Sequence, residues 1–453
     1  MFERIMALAG SIPPVERFAG VDELLAQAGQ IARQYPELTR WHRIGSSKLG
    51  EPLWSLTISG GPRRILVVAA VHPNEPVGGL TSIRLARTLT ENDALREELG
   101  CTWHIIPCID PDGTRLNEGW FTPPLTLGSY GRSFYRPAPG EQVEWSFPFA
   151  YKENFFDRVM PETIALMRVI DETKPALLCS LHNGEYGGVY YYLSDTTDAL
   201  NEQLAAIPVR LGLPLHTGEP EAAFIEQIAP AIFRGFTAEQ ECDFMEELGL
   251  DAGRRKAGTS SGAYAARYGT RYLAAEVPYW ASPDADDHTP LAMSYPELLA
   301  ERGERFEETA RTLTGLLESV RPDLSVRSPY LRASEAFIPF LWDAAESSRT
   351  LAGRQDNDRP AVVAERFHAI GSVLSGRVRF GGMLLNVLGG ELAIGNGTPA
   401  IRAAHQRLSE VFEGWIAEDP QQRQEIPLAK LVGVQLGAIL ATTVALAGGR
   451  ADA

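Results

Sequence analysis

The chain has 453 residues, 44% of them hydrophobic, which is enough apolar material for a large core and for more than one domain. Charged residues make up 22%, and a formal net charge of -16 argues against nucleic acid or an anionic membrane as a partner. The four cysteines (Cys101, Cys108, Cys179, Cys242) form no CxxC pair and lack the density of a disulfide scaffold, so they are expected as buried free thiols.

The opening stretch MFERIMALAGSIPPVERFAG carries acid early and has no apolar run leading to a cleavage site, so a cytoplasmic location is expected. Helical spacing from Val21 to Tyr35 stops at Pro36. Trp41–Ile44 and Leu53–Ile58 read as paired strands around Gly50-Glu51-Pro52. Ile65–Val71 is a near-continuous apolar run, the pattern of a central strand covered on both faces. A helix near Ser82–Leu89 follows, then a strand at Thr102–Ile109 that ends in the turn Asp110-Pro111-Asp112-Gly113.

Gly119–Glu144 is rich in Pro, Gly and aromatic residues and reads as a long functional loop. Ile164–Glu172 is a helix, and Ala176–Leu181 and Val189–Leu193 are strands. The fold class expected is α/β: a mixed, largely parallel twisted sheet flanked by helices, with an all-helical C-terminal appendage. That appendage consists of Ser334–Leu351, Pro360–Ser372, Thr398–Glu418 and Leu428–Ala447, which places the domains at 1–322 and 323–453. The segment Leu431–Ala447 is interrupted by Gln435, Thr442 and Thr443 and falls short of the roughly 20 apolar residues of a membrane helix. A buried helix is expected there, and no membrane partner.

Three apolar runs stop at residues that bind metals or move protons. RRILVVAAV stops at His72, which opens His-Pro-Asn-Glu through Glu75; ALLCSL stops at His182, and YLAA stops at Glu276. Ligands gather at the carboxyl ends of strands in open α/β sheets, so these points can converge. Two histidines and a glutamate fill three positions of a zinc shell and leave one for water, and a second glutamate can take that water's proton. The competing reading for Glu276 is an ion pair with Arg271 or another basic residue, and for His182 a hydrogen-bonded histidine closing the sheet. Arg115 could stabilise an oxyanion, and Arg132 and Arg136 could hold a substrate carboxylate, although surface arginines are common.

Jointly, these motifs resemble a zinc carboxypeptidase of the carboxypeptidase A-like family, bacterial type, over about Asp22 to Leu317. HPNE resembles the family's H-x-x-E metal motif, SLHNG its third-ligand strand, AAEVP the strand of its catalytic glutamate, and DPDGTRLN its N-P-D-G turn followed by an arginine. The resemblance implies one Zn²⁺ per chain on His72, Glu75 and His182, with Glu276 as general base and Arg115 at the scissile carbonyl. The family's Asn-Arg pair for a C-terminal carboxylate is matched only by Gly131-Arg132, with Arg136 as a rival. Counting back from Glu276 puts Arg254 where the family has a mobile tyrosine; Tyr264 and Tyr268 are the alternatives. The specificity region falls at Ser260, Ser261 and Gly262, small residues without charge.

The function expected is a zinc-dependent metallocarboxypeptidase acting on a peptide's C-terminal residue. An amidohydrolase or deacylase on a small amide, and a non-catalytic zinc or peptide-binding module, are the alternatives. A homo-oligomer through the helical region stays open.

Overall fold

The computed structural model describes residues 1–448 apart from 217, 219–221, 223, 248, 250–251, 253–255, 355–356 and 420–422. Contacts divide the chain into two units. The first comprises Met1–Arg115, Pro139–Trp280 and Glu425–Ala453, and the second comprises Leu116–Ala138 and Ala281–Gln424.

The first unit carries a mixed sheet. Its strands are β1 (Thr39–Ser46), β2 (Pro52–Ile58), β3 (Arg63–Val68), β4 (Cys101–Ile106), β5 (Leu177–Tyr186), β6 (Tyr190–Leu193), β7 (Gln227–Ala229), β8 (Ile232–Arg234) and β9 (Arg271–Ala281). They lie in the order β1-β2-β4-β3-β5-β9-β6-β8-β7. β4, β3, β5 and β9 are parallel to their neighbours, while β1-β2-β4 and β9-β6 pair antiparallel. The parallel centre is largely apolar: Ile65 to Val68, Leu177, Leu178, Leu181 and Leu273 to Ala275 are buried, as strands covered on both faces require. The four cysteines are buried thiols that form no disulfide.

Two expected strands end early. Ala70 takes the left-handed conformation (φ 56°), so the chain leaves the sheet after Val68 rather than running to Val71. Thr102–Ile109 shortens to β4, and the anticipated turn at Asp110 to Gly113 opens the helix Pro111–Asn117 instead. Two others run on: β5 and β9 continue past His182 and Glu276, which therefore sit inside strands.

The second unit is helical. Tyr295–Val320, Pro329–Ala352, Val363–Ala393 and Pro399–Ala417 pack together, and the short helix Leu127–Arg132 packs on Val363–Ala393. Gly131 is required at that crossing, because a Cβ there would meet Val378 Cγ1 at 2.3 Å. The expected domain boundary at 322/323 thus does not coincide with the units. Tyr295–Val320 is amphipathic and packs with the helices that follow it, whereas Leu428–Gly448 belongs to the first unit.

That last helix is apolar on nearly all sides, with Gln435, Thr442 and Thr443 as buried polar exceptions, and must be enclosed. It packs against the helices Phe2–Gly10, Val77–Glu91 and Asp198–Arg210 and against β5. Leu428–Leu446 is long and apolar enough to cross a membrane, and 78% of its apolar window is buried inside the structure.

Candidate metal centre

β3 and β5 pair last at Val68 and Ser180, so β5 runs on without that neighbour just before His182. The loop after β3 turns at Ala70 and delivers His72 and Glu75 to this opening. Helix Val77–Glu91 then packs directly on β5, since a Cβ on Gly78 would lie 2.7 Å from Leu181 Cβ. On the far side β9 pairs with β5 in parallel register, and Glu276 stands opposite His182.

His72, Glu75 and His182 are buried, and their ligand atoms all lie within 4.8 Å of one another. His182 Nδ1 is 3.0 Å from Glu75 Oε2 and 3.7 Å from Glu276 Oε1. The His72 and His182 rings are 5.0 Å apart between centroids. His182 Nε2 lies 2.8 Å from Ser180 Oγ, and with its hydrogen donated there, Nδ1 is left as the ligand atom.

Polar contacts brace the loop from behind. The Asn183 side chain accepts from Val77 N–H (3.2 Å) and donates to Val277 O (3.2 Å). Tyr279 OH donates to Asn74 O at 2.7 Å.

The electrostatics suit a cation. Burial by itself pushes the His182 imidazole down, but Glu276, Glu75 and Glu144 outweigh it and raise its pKa to about 9. Glu144 is a fifth buried group at the site, and one that sequence reasoning passed over. Burial raises its pKa to about 6, against the pull of His182 and of Ser261, whose N–H (3.2 Å) and Oγ–H (2.8 Å) donate to it. The signal was present in the sequence: Glu144 sits between Val143 and Trp145 in an apolar stretch, as Glu276 does. Buried carboxylates around two imidazoles make a hard, anionic donor set, which fits a divalent ion held by His72, Glu75 and His182.

The remaining expected residues are placed elsewhere or given other partners. Arg271 pairs with Asp195 at 3.0 Å, which disfavours the ion-pair reading of Glu276. Arg115 is committed to Asp22 (2.7 Å) and Glu51 (3.0 Å), so an oxyanion role would require it to leave both. Ser261 bonds Glu144, and Tyr264 is a core residue whose OH donates to Asp171 at 3.0 Å, so it does not serve as a cap. Tyr268 OH also donates to Asp171. Arg132 and Arg136 belong to the second unit, where Arg132 pairs with Glu413 and lies over the Phe412 ring. Arg254 lies outside the described residues.

The mixed α/β sheet thus carries a buried His-Glu-His cluster beside a carboxylate, a donor set suited to a metal ion with a proton acceptor next to it. Residues 24–207, which hold all three candidate ligands, match the family described as zinc carboxypeptidase. Carboxypeptidase M of Mus musculus is 28% identical over 166 residues, covering 34% of this chain and 36% of the relative. Carboxypeptidase E of Caenorhabditis elegans is 32% identical over 110 residues, covering 21% and 23%. Carboxypeptidase SOL1 of Arabidopsis thaliana is 28% identical over 174 residues, covering 36% and 33%. The chain thus spans about a quarter to a third of the length of these curated relatives. The carboxypeptidase A structure from Helicoverpa armigera superposes with a TM-score of 0.40 at 16% identity, covering 61% of this chain and 70% of that one.

Proposed function

We propose that this protein is a zinc-dependent metallocarboxypeptidase that removes a peptide's C-terminal residue. The observation that carries the reading is the convergence of three buried donors within 4.8 Å, with Glu276 Oε1 3.7 Å from His182 Nδ1. His72, Glu75 and His182 would hold the ion, which supplies Lewis acidity and lowers the pKa of a water toward about 7. Glu276 takes the proton of the attacking water on Oε1 and passes it to the leaving amine nitrogen. Ser180 and Glu75 fix the His182 ring, and the Asn183 bridges keep the loop and β9 in register. Zinc content and peptide hydrolysis of Glu276→Gln test the assignment. The variant should keep its zinc and lose about 10²- to 10⁴-fold in turnover; full activity would sink the role.

A second reading keeps this chemistry on an N-acyl amino acid or another small amide. It is favoured by Arg132, which is paired with Glu413, and by Gly131, which is needed for helix packing where the family has asparagine. Matched peptides with free and amidated C-termini separate the two. A strict need for the free carboxylate rejects the second reading.

A further inference from the structure

One amide on the C-terminal helix reaches both strands of the candidate centre and the helix that follows its His72–Glu75 loop. Gln435 is 0% exposed, among the buried residues Leu431, Val432, Val434, Leu436 and Ala438. Its Nε2 donates to His182 O at 2.8 Å and to Ala275 O at 3.2 Å, and its Oε1 accepts from Thr81 Oγ1 at 2.7 Å. His182 is a candidate ligand on β5. Ala275 immediately precedes Glu276 on β9. Thr81 lies in the helix Val77–Glu91, which begins two residues after Glu75.

A primary amide has two N–H hydrogens and one carbonyl, and all of these polar functions are engaged. Burying an amide in so apolar a helix is unfavourable unless its bonds are made, and an aliphatic residue would fill the same space at no such cost. The bonds also fall at and beside the positions where His182 and Glu276 face each other in the paired strands. The helix itself lies outside the matched segment 24–207.

We infer that Gln435 is a positioning residue for the metal centre. It ties β5, β9 and the helix behind Glu75 to one point, and so fixes the spacing of His182, Glu276 and the His72–Glu75 loop. This inference rests on the reading of His72, Glu75 and His182 as zinc ligands.

The test compares Gln435→Met, which is close in shape, with Leu440→Ala, a cavity elsewhere in the same helix. Zinc affinity is measured by competition with a chelator, turnover on a peptide substrate, and amide hydrogen exchange on the metal-free protein. Gln435→Met should lose about tenfold or more in zinc affinity and lower kcat with KM unchanged. Amides at 181–185 and 275–277 should exchange faster. Leu440→Ala should lower the melting temperature comparably and leave zinc affinity and those amides as in the parent. Should Gln435→Met fail to fold, Gln435→Glu retains the shape and must show the same direction of loss. Parent-like zinc affinity in either Gln435 variant, or exchange indistinguishable from Leu440→Ala, overturns the inference. A parent that binds no zinc would refute the metal reading instead, and the exchange comparison would still decide whether Gln435 clamps the strands.

Discussion

Raising the pH on the metal-free protein should cost it stability through one imidazole. His182 is 6% exposed, and burial opposes its charge, yet Glu276, Glu75 and Glu144 raise its pKa from 6.5 to about 9. A folded pKa above the unfolded one means that the bound proton stabilises the fold. That contribution is fully present below about pH 6.5 and is lost as the pH climbs through about 9, amounting to about 3 kcal/mol. Zinc must displace the same proton, because the ligand is the neutral ring. Apparent zinc affinity should therefore rise about tenfold per pH unit between about 7 and 9 and then level off. Titration calorimetry near pH 7.5, in two buffers of different ionisation enthalpy, should count about one proton released per ion bound. Zinc binding without proton release, or an affinity flat across that range, would refute the account of the site as a nest of carboxylates around one imidazolium.

Other outcomes follow from the same contacts. Asp110 is buried, and burial together with Glu162 and Asp112 outweighs the Gly113 N–H bond and lifts its pKa to about 7. Its ionisation thus destabilises the fold increasingly from about pH 4 to 7, and Asp110→Asn, which keeps an acceptor for Gly113, should stabilise by about 1 kcal/mol or more beyond its effect at pH 5 when measured at pH 8. Equal gains at both pH values would count against this. Tyr264→Phe should cost about 1 kcal/mol in denaturant unfolding and leave turnover within about twofold, because its hydroxyl serves Asp171; a large loss of turnover would restore the cap role. Glu144→Gln can still accept from Ser261 but removes a charge facing His182. The imidazole should then titrate below about 9 in an NMR titration, and an unchanged titration would deny that field.

Much of the fold was legible because its signals are local. The run Ile65 to Val68, the helix from Val21, the hairpin around Gly50 and the C-terminal helices follow from hydrophobic period and from Gly and Pro stops. The candidate ligands were legible for a related reason: a His or Glu ending an apolar run is conspicuous. What could not be read was partnership. Arg115, Arg132 and Tyr264 carry suitable chemistry, but Asp22, Glu413 and Asp171 lie about 90 or more residues away in sequence, and no local pattern announces such pairs. Glu144 and Gln435 were visible as polar interruptions of apolar stretches, yet only their distant partners give those interruptions a purpose.

The amino-acid sequence by itself determined the α/β class and marked His72, Glu75, His182 and Glu276 as candidates, because strand periodicity and residue chemistry are properties of short segments. Tertiary structure decided where β5 and β9 end, which places His182 opposite Glu276 within paired strands. It also decided that the last helix belongs with the sheet rather than with the helices before it. The physical reason is the same in both cases: burial and hydrogen bonding are settled between segments far apart in the chain, and a largely apolar helix or a lone buried amide has no preferred place until its partners are present.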